Sequence, residues 1–315
     1  MKKLISFLLL TLFLAAAGPA GAVSISVNQF VEHPALDSSV QGFKDALADE
    51  GFQDAVFTVH NAQANMPTVL QIVNQIQGEK PDLVLAVATP SAQATVQKIK
   101  DIPVLFTAIT DPLSAGLVDS MDRPGHNVTG TTDMNPIEAQ VALVREIHPQ
   151  AKNMGVIYNA GEANSVVQVG ILKTAAAKYG FELKEAVTAN TAGVYQAAQS
   201  LVGGVDVIYL PTDNTVISSQ ESVIKVCLDS KIPLYPGEAE SVRKGGVASL
   251  ALDYYKLGRQ TGVQAARILR GEAQPADMPV ETQKETSLVV NLSFAESVGV
   301  VLPQSVLDRA QETIR

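Results

Sequence analysis

Short β-branched apolar runs alternate along the chain with longer segments of helical period, the pattern of βαβ units and parallel sheets. Strands are predicted at 24–30, 55–60, 83–88, 104–108, 153–158, 182–186, 207–210 and 234–235, and helices at 37–50, 67–77 and 166–179. The fold class expected is α/β, with doubly wound parallel sheets.

A weak internal repeat divides the pattern. Asp82 to Pro90 leads into a helix, then Ile102-Pro103-Val104-Leu105-Phe106, then a turn with Gly116. Asp206 to Pro211 leads into a helix, then Ile232-Pro233-Leu234-Tyr235, then a turn with Gly246, and the interval from Pro103 to Gly116 equals that from Pro233 to Gly246. Two similar lobes of ordinary domain size follow. The chain is expected to cross between them at 130–136, where Pro136 disfavours helix before it and suits the first turn after it. Further crossings are expected at 249–253, ahead of a helix over 257–269 that stops at Gly271, and at 278–285. This assigns 23–133 plus 252–280 to one lobe and 134–251 plus 281–315 to the other. Three crossings form a hinge.

The beginning of the chain reads as a cleaved leader: Lys2 and Lys3, an apolar run over 4–17, and small residues at Ala20-Gly21-Ala22, with cleavage expected after Ala22. The run is shorter than the roughly 20 residues that span a bilayer. No cysteine stands near the cleavage point to carry a lipid, so the mature protein is expected in a periplasm. Cys227, the single cysteine, has no internal disulfide partner and lies on a predicted helix face as a small hydrophobe. Losing Lys2 and Lys3 takes the formal charge from −9 to −11. An acidic surface excludes nucleic acid and anionic lipid as partners, since both require lysine and arginine.

Polar clusters fall after predicted strands, where open parallel sheets bind ligands. Thr89-Pro90-Ser91-Ala92 opens a helix, so Ser91, Ala92 and the first-turn N–H groups could receive an anion, or Ser91 could simply cap the helix. Thr110-Asp111-Pro112 follows the strand at 104–108, and Asn164-Ser165 stands between the strand at 153–158 and its helix. Asp213-Asn214 follows 207–210, and Glu238 follows 234–235. Each alone could be an N-cap or a turn residue. Together, hydroxyls and amides facing carboxylates suit a desolvated zwitterion. His-Glu-x-x-His, Gly-x-Ser-x-Gly and Gly-x-x-x-x-Gly-Lys are absent and the four histidines are scattered, so neither an enzyme, a metal site nor a cofactor is expected.

His33-Pro34-Ala35-Leu36-Asp37 with Gly42-Phe43, Ala88 to Gln93, Thr110-Asp111-Pro112, Asn127 to Gly130, Asn164-Ser165, Asp213-Asn214, and Asp253-Tyr254 with Leu257-Gly258 occur in this order. In them the chain resembles the ABC-transporter substrate-binding family whose better-known members bind tryptophan, tyrosine or phenylalanine and have the type I periplasmic-binding-protein fold. The resemblance runs through essentially the whole mature chain. It implies a ligand between the lobes, its carboxylate held near Ser91 and Ala92 and by Thr110. Asp213 and Glu238 would take the ammonium, Asn164 and Ser165 would close from the second lobe, and Asp253 would serve hinge or ligand. It also implies delivery of a small molecule to an inner-membrane ABC permease, and a monomer is expected because one receptor must present both lobes to one permease; a ligand sensor for a membrane receptor or kinase is the other reading. With no tryptophan in the chain, an aromatic ligand would stack on Phe106, Tyr158, Tyr209, Tyr235 or Tyr254. A branched aliphatic amino acid would be served by the same walls.

Overall fold

The structure, a computed structural model, describes residues 22–315; the leader expected over 1–22 lies outside them but for Ala22. The chain runs β1 (Ser24–Gln29), α1 (Pro34–Asp49), β2 (Val56–Asn61), α2 (Met66–Glu79), β3 (Leu83–Val87), α3 (Thr89–Lys98), β4 (Val104–Ile109) and β5 (Val128–Thr132). It continues with α4 (Ile137–Ile147), β6 (Asn153–Tyr158), α5 (Ala163–Lys178), β7 (Glu182–Val187), α6 (Val194–Ser200), β8 (Val207–Leu210), α7 (Asn214–Ile217), α8 (Gln220–Ser230), β9 (Leu234–Pro236), α9 (Ala239–Gly245) and β10 (Ala248–Ala251). Then come α10 (Tyr254–Leu269), β11 (Glu281–Thr282), β12 (Ser287–Asn291), α11 (Leu292–Ser297), α12 (Gln304–Leu307) and β13 (Glu312–Ile314).

The first lobe holds a six-stranded parallel sheet ordered β11-β5-β4-β3-β1-β2. The second holds a four-stranded parallel sheet ordered β7-β6-β8-β9, beside a smaller sheet ordered β10-β12-β13. Both large sheets therefore start from the same order, second-first-third-fourth, with helices on both faces. Each lobe has its own hydrophobic core, one built around Val84, Leu85 and Phe106, the other around Val156, Ile208 and Leu210. The chain passes between the lobes after β5, after β10 and after β11. Because Glu281–Thr282 pairs with β5, the first lobe extends past the boundary expected at 280. The repeat is one of topology rather than of turns: Gly116 sits in a left-handed turn at φ +69°, whereas Gly246 is extended and follows α9, where a turn was expected.

β5 occupies part of a stretch read as a crossing. Its sequence, Val-Thr-Gly-Thr-Thr, is fully buried without being apolar. Burial is tolerated because each hydroxyl is bonded: Thr129 to Met278 O at 2.8 Å, Thr131 to the Thr261 hydroxyl at 2.8 Å, and Thr132 to Thr110 O at 2.9 Å. A Cβ on Gly130 would lie 2.0 Å from Phe106 O, so the neighbouring strand leaves room for glycine alone.

Helix α10 returns from the second crossing and lies directly on α1. Cβ atoms added at Gly42 and Gly258 would meet Tyr255 O at 2.1 Å and Ser39 O at 1.8 Å. The two backbones are in contact, which fixes where the second crossing enters the first lobe. Substituting Gly258→Ala should force the helices apart and destabilise the protein by about 1–3 kcal/mol or more, the cost of overpacking. Urea unfolding measures this, and an unchanged midpoint would contradict the close crossing.

Candidate ligand site between the lobes

The carboxyl ends of both large sheets face one another, so the loops after β1, β4 and β5 meet those after β6, β8 and β9. They enclose a narrow cavity, little wider than a water molecule. The first lobe contributes His33, Ala35 and Leu36 at the start of α1, then Ala108 near the end of β4, Thr110 after it and Asp133 after β5. From the second lobe come Asn164 in the first turn of α5, Thr212, Asn214 and Ile217 after β8, and Glu238 after β9. Tyr254, at the second crossing, completes the lining. Among the described residues that line it there is no lysine or arginine.

Two carboxylates are buried in this wall. Asp133 accepts from the Tyr254 hydroxyl at 2.6 Å and the Thr110 hydroxyl at 3.4 Å. Burial raises its pKa, and these two hydrogen bonds oppose the rise. Glu238 uses Oε1 to cap α9, accepting from the N–H and hydroxyl of Ser241. No donor from another residue type reaches its Oε2; burial first, then direct contact with the Glu240 carboxyl, push its pKa well above the carboxylate range, so that in the ligand-free, closed protein the group tends to hold a proton. Asn164 donates Nδ2 to Glu162 Oε2, Ser165 Oγ and Thr212 O, leaving Oδ1 unpartnered and buried. His33 precedes α1 without capping it, and its Nδ1 is also unpartnered. Burial lowers its pKa to about 4, against the opposing effect of the Asn214 side chain across the cavity.

Opposite these acceptors stands the first turn of α1. The first-turn N–H groups of a helix have no intrahelical partner and carry the positive end of its dipole. Ala35 and Leu36 bring that turn to the cavity wall. The arrangement can therefore receive a ligand with an anionic group at α1 and a cationic group at Glu238 and Asn164, both shielded from water.

Four of the expected site residues, Thr110, Asn164, Asn214 and Glu238, line this cavity. The others stand elsewhere. Ser91 is buried and bonds Asn28 Oδ1 at 3.3 Å, and Ala92 N–H is taken by Ala88 O. Neither they nor Thr89, whose buried hydroxyl has no partner, line the cavity, whereas α1 brings its first turn to it. Asp111 caps the turn at Leu113 and Ser114. Asp213, expected to face an ammonium, has both oxygens engaged: Oδ1 by Val216 N–H at 2.8 Å, Oδ2 by Asn159 N–H and the Ser165 hydroxyl, each at 2.6 Å. Burial and then Glu162 push its pKa to about 7. It is the N-cap of α7, and Ser165 serves it. Asp253 is exposed, caps α10, and shares backbone hydrogen bonds with the Gln283 side chain across two crossings.

Of the aromatic walls expected, only Tyr254 reaches the cavity. Phe106 is core; Tyr209, Tyr235 and Tyr158 direct their hydroxyls to Gln140, His148 and Glu185. Sequence reading missed His33, placed in a loop, and Asp133, placed in a crossing. No group of histidine, cysteine, aspartate and glutamate among the described residues is arranged to hold a metal ion.

Residues 24–314 match the family model described as ABC transporter substrate binding protein. A tyrosine-binding protein of Clostridioides difficile is 43% identical over 271 residues, covering 85% of this chain and 78% of that protein. The structure of a Streptococcus pneumoniae domain in complex with L-Trp superposes with a TM-score of 0.89 at 36% identity, covering 93% of this chain and 99% of that one. A ligand-free, open substrate-binding protein from Clostridium difficile, with adhesive properties, is 40% identical over 93% of this chain and 100% of that one, with a TM-score of 0.68. Two α/β lobes with an enclosed site between them, and a family match through both, make this a solute-binding protein of the type I periplasmic-binding fold rather than an enzyme. The chain belongs to the ABC transporter substrate-binding protein family.

Proposed function

We propose that the protein binds an amino acid between its lobes and, as the periplasmic component of an importer, presents it as a monomer to a membrane permease. One observation carries this reading. Two buried acceptors, Glu238 Oε2 and Asn164 Oδ1, stand unpartnered across a cavity from the first turn of α1. A buried acceptor without a donor costs about 1–3 kcal/mol, and more when it is charged. A ligand ammonium removes that cost only when the lobes are together, which is the differential interaction that closure needs. Its carboxylate lies at Ala35 and Leu36, while Leu36, Ile217 and Tyr254 pack on its side chain.

The relatives support both the ligand and the motion. One is a tyrosine-binding protein and another was crystallised with L-Trp, which favours an aromatic side chain over a branched one. At similar identity, the TM-score falls from 0.89 with the L-Trp complex to 0.68 with the open, ligand-free protein. That difference favours a closed arrangement of the lobes here, nearer to the complexed relative than to the open one, and on this reading the narrow cavity widens further to hold an amino acid.

Titration calorimetry with L-tyrosine, L-tryptophan, L-leucine and glucose tests the reading. Binding of an aromatic amino acid is expected, and binding of glucose alone would contradict it. In the same assay Glu238→Gln should weaken the amino acid by about 2–5 kcal/mol, the cost of stripping one partner from a buried charge pair. Asp213→Asn should disturb stability more than the choice of ligand, and a selective loss of binding there would return Asp213 to the site.

His33 sets a pH dependence. Its pKa is lowered in the closed protein from 6.5 to about 4, so the unfolded chain binds the proton more readily between those values. The contribution is complete above pH 6.5 and is lost as pH falls toward 4. Relative to His33→Gln, the wild type should lose about 2–3 kcal/mol of unfolding free energy between pH 7 and pH 4.5. Parallel pH profiles of the two proteins would contradict a buried, neutral His33.

A further inference from the structure

Glu162 is buried, lies outside the cavity, and occupies the N-cap position of α5 without capping it. Serine, threonine, aspartate and asparagine are the residues suited to that position, so the glutamate is held there by something else. Its carboxylate turns across to the loop after β8 and gathers five donors. Oε1 accepts from Thr215 N–H at 2.9 Å and the Thr215 hydroxyl at 2.7 Å; Oε2 accepts from Asn214 N–H at 3.2 Å, Asn214 Nδ2 at 2.6 Å and Asn164 Nδ2 at 3.2 Å.

Two of those donors belong to the amides that form the second lobe's face of the cavity. A carboxylate only accepts, so each amide must turn its NH2 group toward Glu162 and away from the ligand. For Asn164 the carbonyl of Thr212, at 3.1 Å, makes the same demand. What remains for the cavity is carbonyl oxygen. Asn164 Oδ1 is the unpartnered acceptor described above, and Asn214 is left with Oδ1 beside His33. Capping of α7 alone does not require this arrangement, because Asp213 already caps that helix.

We infer that Glu162 is a positioning residue: by drawing the NH2 groups of Asn164 and Asn214 toward itself it leaves their carbonyl oxygens to the cavity, and so favours a ligand that carries an ammonium group. The role rests on the amino-acid reading of the cavity. In Glu162→Gln the new amide offers a donor of its own and a single acceptor oxygen. Asn214 then gains a partner by turning its oxygen inward, so that an N–H group meets the ammonium there, while Asn164, still held by Thr212 O, loses one of its acceptors.

The experiment is calorimetry on the wild type and Glu162→Gln, using L-tyrosine and L-tryptophan beside 3-(4-hydroxyphenyl)propionate and 3-(indol-3-yl)propionate, which lack the ammonium. The substitution should weaken the amino acids about 10- to 100-fold, the worth of a hydrogen bond to a charged group, while the propionates change by less than about threefold. Equal losses for both classes, or no loss, would overturn the positioning role and leave the function standing. Failure of the wild type to bind either amino acid would overturn the function itself. NMR of the ligand-free wild type tests the role without ligand and without relying on the variant to fold. The side-chain NH2 protons of Asn164 and Asn214 should exchange slowly with solvent, and rapid exchange would show that Glu162 does not hold them.

Discussion

A carboxyl oxygen removed from water and left beside another carboxyl raises the free energy of the state that contains it, and Glu238 Oε2, next to Glu240, is such an atom. Burial pushes the Glu238 pKa upward, so without a cationic partner the group tends to take up a proton. An ammonium placed beside it and beside Asn164 Oδ1 relieves the penalty, in a space where low polarisability strengthens the attraction. Most of the site's architecture follows from that need. Lysine and arginine are kept off the lining, Asp133 is occupied by Tyr254 and Thr110, and under the proposed function the negative end of the zwitterion falls to backbone N–H groups at α1. A helix end offers positive potential without a mobile cation that could neutralise Glu238 in the ligand's place.

Two parallel sheets with the same starting strand order point their carboxyl ends at one another, which brings loops distant in sequence into one wall. The lobes remain separate bodies because each has its own core, so motion between them need not disturb packing within them. The crossings are anchored: Thr131 and Thr261 join β5 to α10, and glycines bring α10 onto the backbone of α1. His33 and Tyr254 both line the cavity, and both adjoin the α1–α10 pair. The same close helix crossing that stabilises the first lobe also sets the position of its binding residues.

Much of this was legible in the sequence. β6 and β8 begin and end where the periodicity places them, since apolar β-branched runs bounded by turn residues leave little choice. β5 was not legible, because a buried strand of threonine and glycine has no hydrophobic pattern; its partners are hydroxyls and carbonyls supplied by distant segments. Polar residues after strands marked the right end of each sheet and placed Thr110, Asn164, Asn214 and Glu238 in the cavity. Which neighbouring polar residue faces inward was not visible from spacing. Asp213 and Asn214 are adjacent, yet the first is consumed as a cap and the second reaches the ligand space, a difference made by Asn159, Ser165 and Glu162 from other parts of the chain. His33 resembled a loop histidine; Pro34 suits the first position of a helix and marks where α1 begins, but nothing local reveals that this first turn aims across the cleft.

If an ammonium draws the lobes together, occupancy and compaction must rise in step. Small-angle X-ray scattering along a titration with L-tyrosine or L-tryptophan, run beside calorimetry on the same sample, measures both. The account predicts that the radius of gyration falls in proportion to bound ligand and reaches its minimum at saturation. Saturation of the binding heat with an unchanged radius would contradict closure on the ligand.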